Sequence, residues 1–149
     1  MGSTDRQGQL LTASNDLADA DGLETITYSW SNGQTGSSIT LGQGDVGETI
    51  TVTASYTDTL GTEESVAYSA TSAVANVNDA PTGSVTISGT ATQGETLTAS
   101  NTLADADGLG TITYTWSNSA SSTGSSITLG QGDVGSAITV TASYTDTLG

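Results

Sequence analysis

Residues 36–61 and 124–149 differ at two of twenty-six positions, Glu48 against Ser136 and Thr49 against Ala137. Residues 11–32 and 97–118 differ at three of twenty-two. A chain that writes the same stretch twice is expected to fold as two copies of one unit. The offset between copies is 86 residues up to Trp30/Trp116 and 88 from Gly36/Gly124 onward. The change falls in one segment, where residues 32–35 become 118–123. A segment that takes two extra residues without disturbing its flanks reads as a surface hairpin tip, and Asn32-Gly33 is a strong hairpin signal. Between the copies lies 75–81, which holds the single proline of the chain, Pro81. The expected organisation is an expression-derived tail over 1–6, a first module over 7–77, a linker over 78–81 and a second module over 82–149.

Strand patterning is regular in both copies. Ile26, Tyr28 and Trp30 alternate with Thr25, Thr27 and Ser29, and Ile50, Val52, Ala54 and Tyr56 alternate with Thr49, Thr51, Thr53 and Ser55. A period of two places one set on a buried face and the other toward water. The pattern returns at Ile112-Thr113-Tyr114-Thr115-Trp116 and at Ile138, Val140, Ala142 and Tyr144. β-branched residues dominate, Gly or Asp-Gly punctuates the runs, and no window carries a helical period. The chain is therefore expected to be all-β. Strands are expected near 84–89, 95–100, 111–117, 125–129 and 137–145, with one long strand over 66–77 in the first copy. Six or seven short strands in about 87 residues fit an Ig-like or cadherin-like Greek-key sandwich. Trp and Tyr are then expected in the core. Copy 1 begins at Gln7, which aligns with Gln93, and copy 2 stops at Gly149, which aligns with Gly61. Each module is thus expected to be incomplete at an outer edge: the first lacks its first strand and the second its last.

Sixteen Asp and Glu face one basic residue, Arg6, for a net charge of −15. Nucleic acid demands clustered Lys and Arg, so no nucleic-acid partner is expected. An anionic membrane repels such a chain, and no apolar run has the length to insert in one. His, Cys and Lys are absent. Their absence removes the common general base, thiol chemistry, the nitrogen and sulfur ligands of zinc, and Schiff-base formation. A catalyst is not expected. What many carboxylates attract is a hard cation with oxygen ligands, of which calcium is the natural candidate.

The acidic punctuation comprises Asp19-Ala20-Asp21-Gly22 and its copy Asp105-Ala106-Asp107-Gly108, Tyr56-Thr57-Asp58-Thr59-Leu60-Gly61, Gly44-Asp45-Val46-Gly47-Glu48, and Asn78-Asp79 in the linker. As a set these resemble the cadherin repeat and the bacterial cadherin-like and immunoglobulin-like tandem repeats of large secreted adhesins of the RTX type. Leu103-Ala104-Asp105-Ala106-Asp107-Gly108 before Ile112-Thr113-Tyr114 is similar to the cadherin Asp-x-Asp loop. Thr57-Asp58-Thr59-Leu60-Gly61 is similar to its x-Asp-x-Gly motif, and Val77-Asn78-Asp79-Ala80-Pro81 to a shortened interdomain linker. The resemblance implies calcium at the junction of successive modules, with Asp58, Asn78, Asp79, Asp105 and Asp107 as ligands and Asp45 or Glu48 as additions. It leaves Asp19, Asp21, Asp133 and Asp146 as half-sites. The Leu-Asp-Arg-Glu motif is absent and the linker lacks its second Asn, which implies fewer ions than cadherins hold.

The function this implies is a non-catalytic spacer in a bacterial cell-surface or secreted adhesin, its junction stiffened by calcium. Its partners would be neighbouring repeats or other copies of itself, with any glycan or protein ligand met through other domains. Two alternatives stand beside it. One is a self-assembling extracellular fibre subunit joined by open strand edges. The other is a glycan-binding module using the Trp and Tyr strands or the 118–123 loop.

Overall fold

The computed structural model describes residues 5–68 and 71–148. It is all-β apart from two single-turn 3₁₀ helices, and it divides into two compact units, residues 1–77 and 78–149. In unit 1, β1 (Leu10–Thr12) pairs antiparallel with β3 (Ser38–Thr40), while β4 (Val52–Thr57) lies between β2 (Thr27–Trp30) and β5 (Glu63–Ala67). In unit 2, β7 (Thr96–Asn101) lies between β6 (Val85–Ser88) and β9 (Ser126–Thr128), while β8 (Thr113–Trp116) pairs with β10 (Val140–Ser143).

The alternation read from the sequence matches the burial of the strands. In β2, Thr27 and Ser29 are exposed, Tyr28 is half-buried and Trp30 is buried, and β8 repeats the pattern. Each unit has its own core: Trp30, Ile39, Leu41, Ile50 and Val74 in the first, and Leu97, Ala99, Trp116, Ile127 and Leu129 in the second. Each indole N–H donates to a carbonyl across the hairpin, Trp30 to Gly36 at 2.9 Å and Trp116 to Gly124 at 2.8 Å. The longer tip in unit 2 thus leaves the anchoring bond unchanged. It absorbs its extra residues by placing Ser121 at φ 49°, with Asn118 holding the turn through both side-chain atoms.

Two expectations require correction. The long strand over 66–77 is instead β5 followed by a separate segment; residues 69 and 70 lie outside the described residues. Val74 bridges Val46 in parallel and Ala73 bridges Thr49, so the chain leaves β4 and crosses to other partners. Burial drives the crossing: β5 is exposed along its whole length, whereas Val74 is 2% exposed. Nor is all of 1–6 a tail. Asp5 accepts the N–H of Ala75 at 2.8 Å and Arg6 bridges Ala75, so both belong to the fold of unit 1. Residues 1–4 lie outside the described residues.

The cores differ where the sequences have no counterpart. Leu97 and Ala99 are buried in unit 2, where β6 covers β7, but their equivalents Leu11 and Ala13 are only half-buried. Ile50 is buried in unit 1, where Val74 lies in the same cluster, but its equivalent Ile138 is half-buried. Each unit is therefore better filled on the side where the other is open.

Candidate functional site

The Asp-x-Asp-Gly loops precede β2 and β8, and both are fastened in the same way. The first Asp caps its own turn: Asp21 N–H donates to Asp19 Oδ1 and Asp107 N–H to Asp105 Oδ1, each at 2.9 Å. The second oxygen of the same carboxylate accepts a phenol, Tyr56 to Asp19 and Tyr144 to Asp105. The hydroxyl of the following turn, Thr59 or Thr147, donates to the carbonyl of Asp21 or Asp107. Gly22 and Gly108 close the turns at positive φ, a conformation that costs glycine little. The sequence pointed to the carboxylates of this loop but not to the tyrosine and threonine that hold it. Their signal was the spacing of Tyr56-x-x-Thr59 and Tyr144-x-x-Thr147.

Asp107 is the most enclosed of the carboxylates, 1% exposed, and its Oδ2 accepts the N–H of Asp79 at 2.6 Å. This bond ties the linker residue to the loop of unit 2. Asn78, Asp79, Asp105 and Asp146 line one shallow cleft of unit 2, of about 500 Å³. In unit 1, Asp58 is 4% exposed and its Oδ1 accepts the N–H groups of Leu60 and Thr62 at 2.9 and 2.8 Å. Asp45 ends a 3₁₀ turn and is buried. Its carboxylate accepts Gly42 N–H at 2.8 Å and the Asn32 side chain at 3.1 Å. Asn32 lies beyond the C-terminal end of β2, whereas Asp58 follows the end of β4 that pairs with Thr27. Asp45 and exposed Glu48 therefore sit at the other end of β2 from Asp58 and do not add to an Asp58 site. Asp133 repeats the Asp45 role, accepting Gly130 and Ser119 N–H groups at 2.8 and 2.7 Å.

These bonds move the titrating groups. The Thr62 backbone bond holds the Asp58 carboxyl below the usual carboxylate range, and the Ser119 backbone bond does the same for Asp133. The bond from Tyr144 to Asp105 pushes its phenol up to about 12, and Tyr56 is raised by its bond to Asp19. A raised phenol stabilises the fold fully below its unfolded value near 10, and that contribution is lost as pH rises toward 12. A lowered carboxyl contributes above its ordinary range and is lost as pH falls through the lowered value. Urea midpoints are therefore expected to be flat through neutral pH and to fall at both extremes. Tyr144→Phe is expected to lower the neutral plateau and flatten the alkaline fall of unit 2.

As donors, the linker and loop residues suit a hard cation: they offer carboxylate and amide oxygens. Among the described residues, however, no three acidic side chains gather closely enough to hold a metal ion. The fit is one of donor chemistry, and binding would require the carboxylates to converge. Both tryptophans are buried, at 7% and 2% exposure, so neither offers a stacking face for a sugar. Comparison with family models, with curated proteins and with solved structures gives no match for this chain.

Proposed function

We propose that the chain is a non-catalytic spacer: two tandem, immunoglobulin-like β-sandwich modules of an extracellular adhesin, with calcium bound at the Asp-x-Asp loop and linker. The observation that carries this reading is the duplicated fastening of the loops, Asp19–Tyr56–Thr59 and Asp105–Tyr144–Thr147. Selection for reach repeats a whole unit with its internal supports, whereas selection for a unique site diversifies one copy. In unit 2, Asn78, Asp79 and Asp105 line one cleft, and buried Asp107 accepts the Asp79 N–H. An ion held there would neutralise carboxylates that otherwise repel one another in a chain of net charge −15.

Calcium titration tests the metal part. Extracellular modules bind calcium with dissociation constants of about 10⁻⁴–10⁻³ M. At ten to a hundred times such a constant, the bound state gains roughly 1.4–2.7 kcal/mol. The unit 2 melting temperature is therefore expected to rise with calcium, and Asp105→Asn with Asp107→Asn is expected to abolish the rise. Equal heats and equal melts for the two proteins would leave a spacer without a metal.

A further inference from the structure

We infer that unit 2 carries an open seat for an extended strand, and that its occupant has the chemistry of residues 62–77 of this chain. The seat can be recognised because its near-identical counterpart in unit 1 is filled. There β5 pairs with β4 in the register Thr53↔Ala67 to Thr57↔Glu63. Beyond it, Thr71 N–H donates to Ile50 O at 3.0 Å, Val74 N–H to Glu48 O at 2.9 Å, and Gly47 N–H to Val74 O at 2.8 Å. Gln7 N–H then donates to Ala75 O at 3.0 Å.

The same groups exist in unit 2 and are open. Among the described residues β10, the counterpart of β4, is paired on one side only, with β8. The N–H groups of Gln93, Gly135 and Ile138 align with those of Gln7, Gly47 and Ile50, and they meet no acceptor among the described residues. Val134, the counterpart of half-buried Val46, is 59% exposed. A cleft of about 340 Å³, lined by Gln93, Leu129, Val134, Gly135 and Ile138 among others, opens at the place that corresponds to the Val74 seat.

Unpaired strand edges are normally guarded by charge. The edge strand β5 has such guards, Glu63 and Glu64, but Val140-Thr141-Ala142-Ser143 of β10 has none. Within the occupant, Thr71-Ser72-Ala73-Val74-Ala75-Asn76-Val77 is uncharged, so it escapes repulsion from a chain of net charge −15. In this strand addition, backbone bonds supply the register and one apolar side chain in a pocket supplies the specificity. The register of unit 1 places Ala67, Val66 and Ser65 of the incoming strand opposite Thr141, Ala142 and Ser143. The inference rests on the equivalence of the two units and not on calcium.

The test is a titration of the whole chain with a synthetic peptide of residues 62–77, followed by amide NMR and by the unit 2 melting temperature. Saturable one-to-one binding is expected, with shifts and slowed exchange at Gln93, Gly135, Ile138 and 140–144, and a raised melting temperature. A Val74→Asp peptide is expected to bind about tenfold or more weakly, because its anchor no longer enters the apolar seat. To separate a weak peptide from a wrong seat, the same sixteen residues are joined after Gly149. Protection of Gly135 and Ile138 in that protein supports the proposal, and unchanged exchange overturns it. Shifts confined to unit 1 overturn it as well, as does self-association through β10 that the peptide does not displace. Loss of calcium binding with retained peptide binding would reject the metal reading alone.

Discussion

Trp116→Ala is expected to remove about 3–5 kcal/mol from unit 2 and to leave it largely unfolded at room temperature, while unit 1 keeps its structure. The indole is 2% exposed and lies in a cluster whose other buried members are Leu97, Ala99, Ile127 and Leu129. No Phe occurs in the chain, and Tyr114, the aromatic packed against the cluster, is only half-buried. The cavity left by alanine would therefore have only half-buried Tyr114 as an aromatic neighbour to relax into it. A unit of about seventy residues holds roughly 3.5–10 kcal/mol, and the half-exposed side of unit 2 places it at the lower end, where the loss is as large as the whole. Losing the indole also strips Gly124 O of its donor. Trp116→Phe keeps most of the volume and loses the N–H, so its cost should fall nearer 1–2 kcal/mol. Because each unit has one Trp, the fluorescence of Trp30 in the alanine variant reports unit 1 alone. Its unfolding curve should match the native one, while the amide signals of 82–148 lose dispersion. Collapse of the Trp30 transition together with unit 2 would show that the units do not fold independently.

Much of this core was legible in the sequence, because a strand with one wet face must alternate and the alternation survives single substitutions. The Trp strands, the Asn-Gly tip and the positions of β6 to β10 follow from local chemistry. The segment 66–77 did not, since its residues suit a strand anywhere. What sends Val74 away from β4 is the apolar hole beside Ile50, a tertiary feature with no local signature. Asp5 and Arg6 were hidden for the same reason: their bonds to Ala75 are made by backbone, which carries no pattern.

The acidic motifs were visible as motifs, but their partners were not. A carboxylate oxygen can accept a phenol, a backbone N–H or a cation, and the letter Asp does not distinguish among them. Asp45 and Asp133 illustrate this. Gly-Asp-Val-Gly looked like part of an ion site, whereas each Asp ties a 3₁₀ turn to the hairpin after the Trp strand. The nearness of Asp45 to Asp58 in sequence conceals their separation by the length of β2.

Asp107 separates the two uses of a carboxylate most sharply. Its replacement by alanine leaves the Asp79 N–H without the acceptor it meets at 2.6 Å, inside a side chain's space that is 1% exposed. Losing a hydrogen bond to a charged group costs about 1.5–3 kcal/mol, so the melting temperature of unit 2 should fall by roughly 6–24 °C for a unit of this size. Asp107→Asn keeps an oxygen for the Asp79 N–H but loses the charge. Without calcium its melting temperature should lie close to the native value and well above that of the alanine variant. With calcium the native protein should move upward and the asparagine variant should stay where it was, because an amide oxygen contributes far less than a carboxylate to holding a divalent ion. If alanine and asparagine are equally damaging and calcium shifts neither the variants nor the native protein, Asp107 acts through its charge within the fold alone. The residue would then be a fastener of the linker, and the cadherin-like spacing of its loop would reflect turn architecture in place of ion binding.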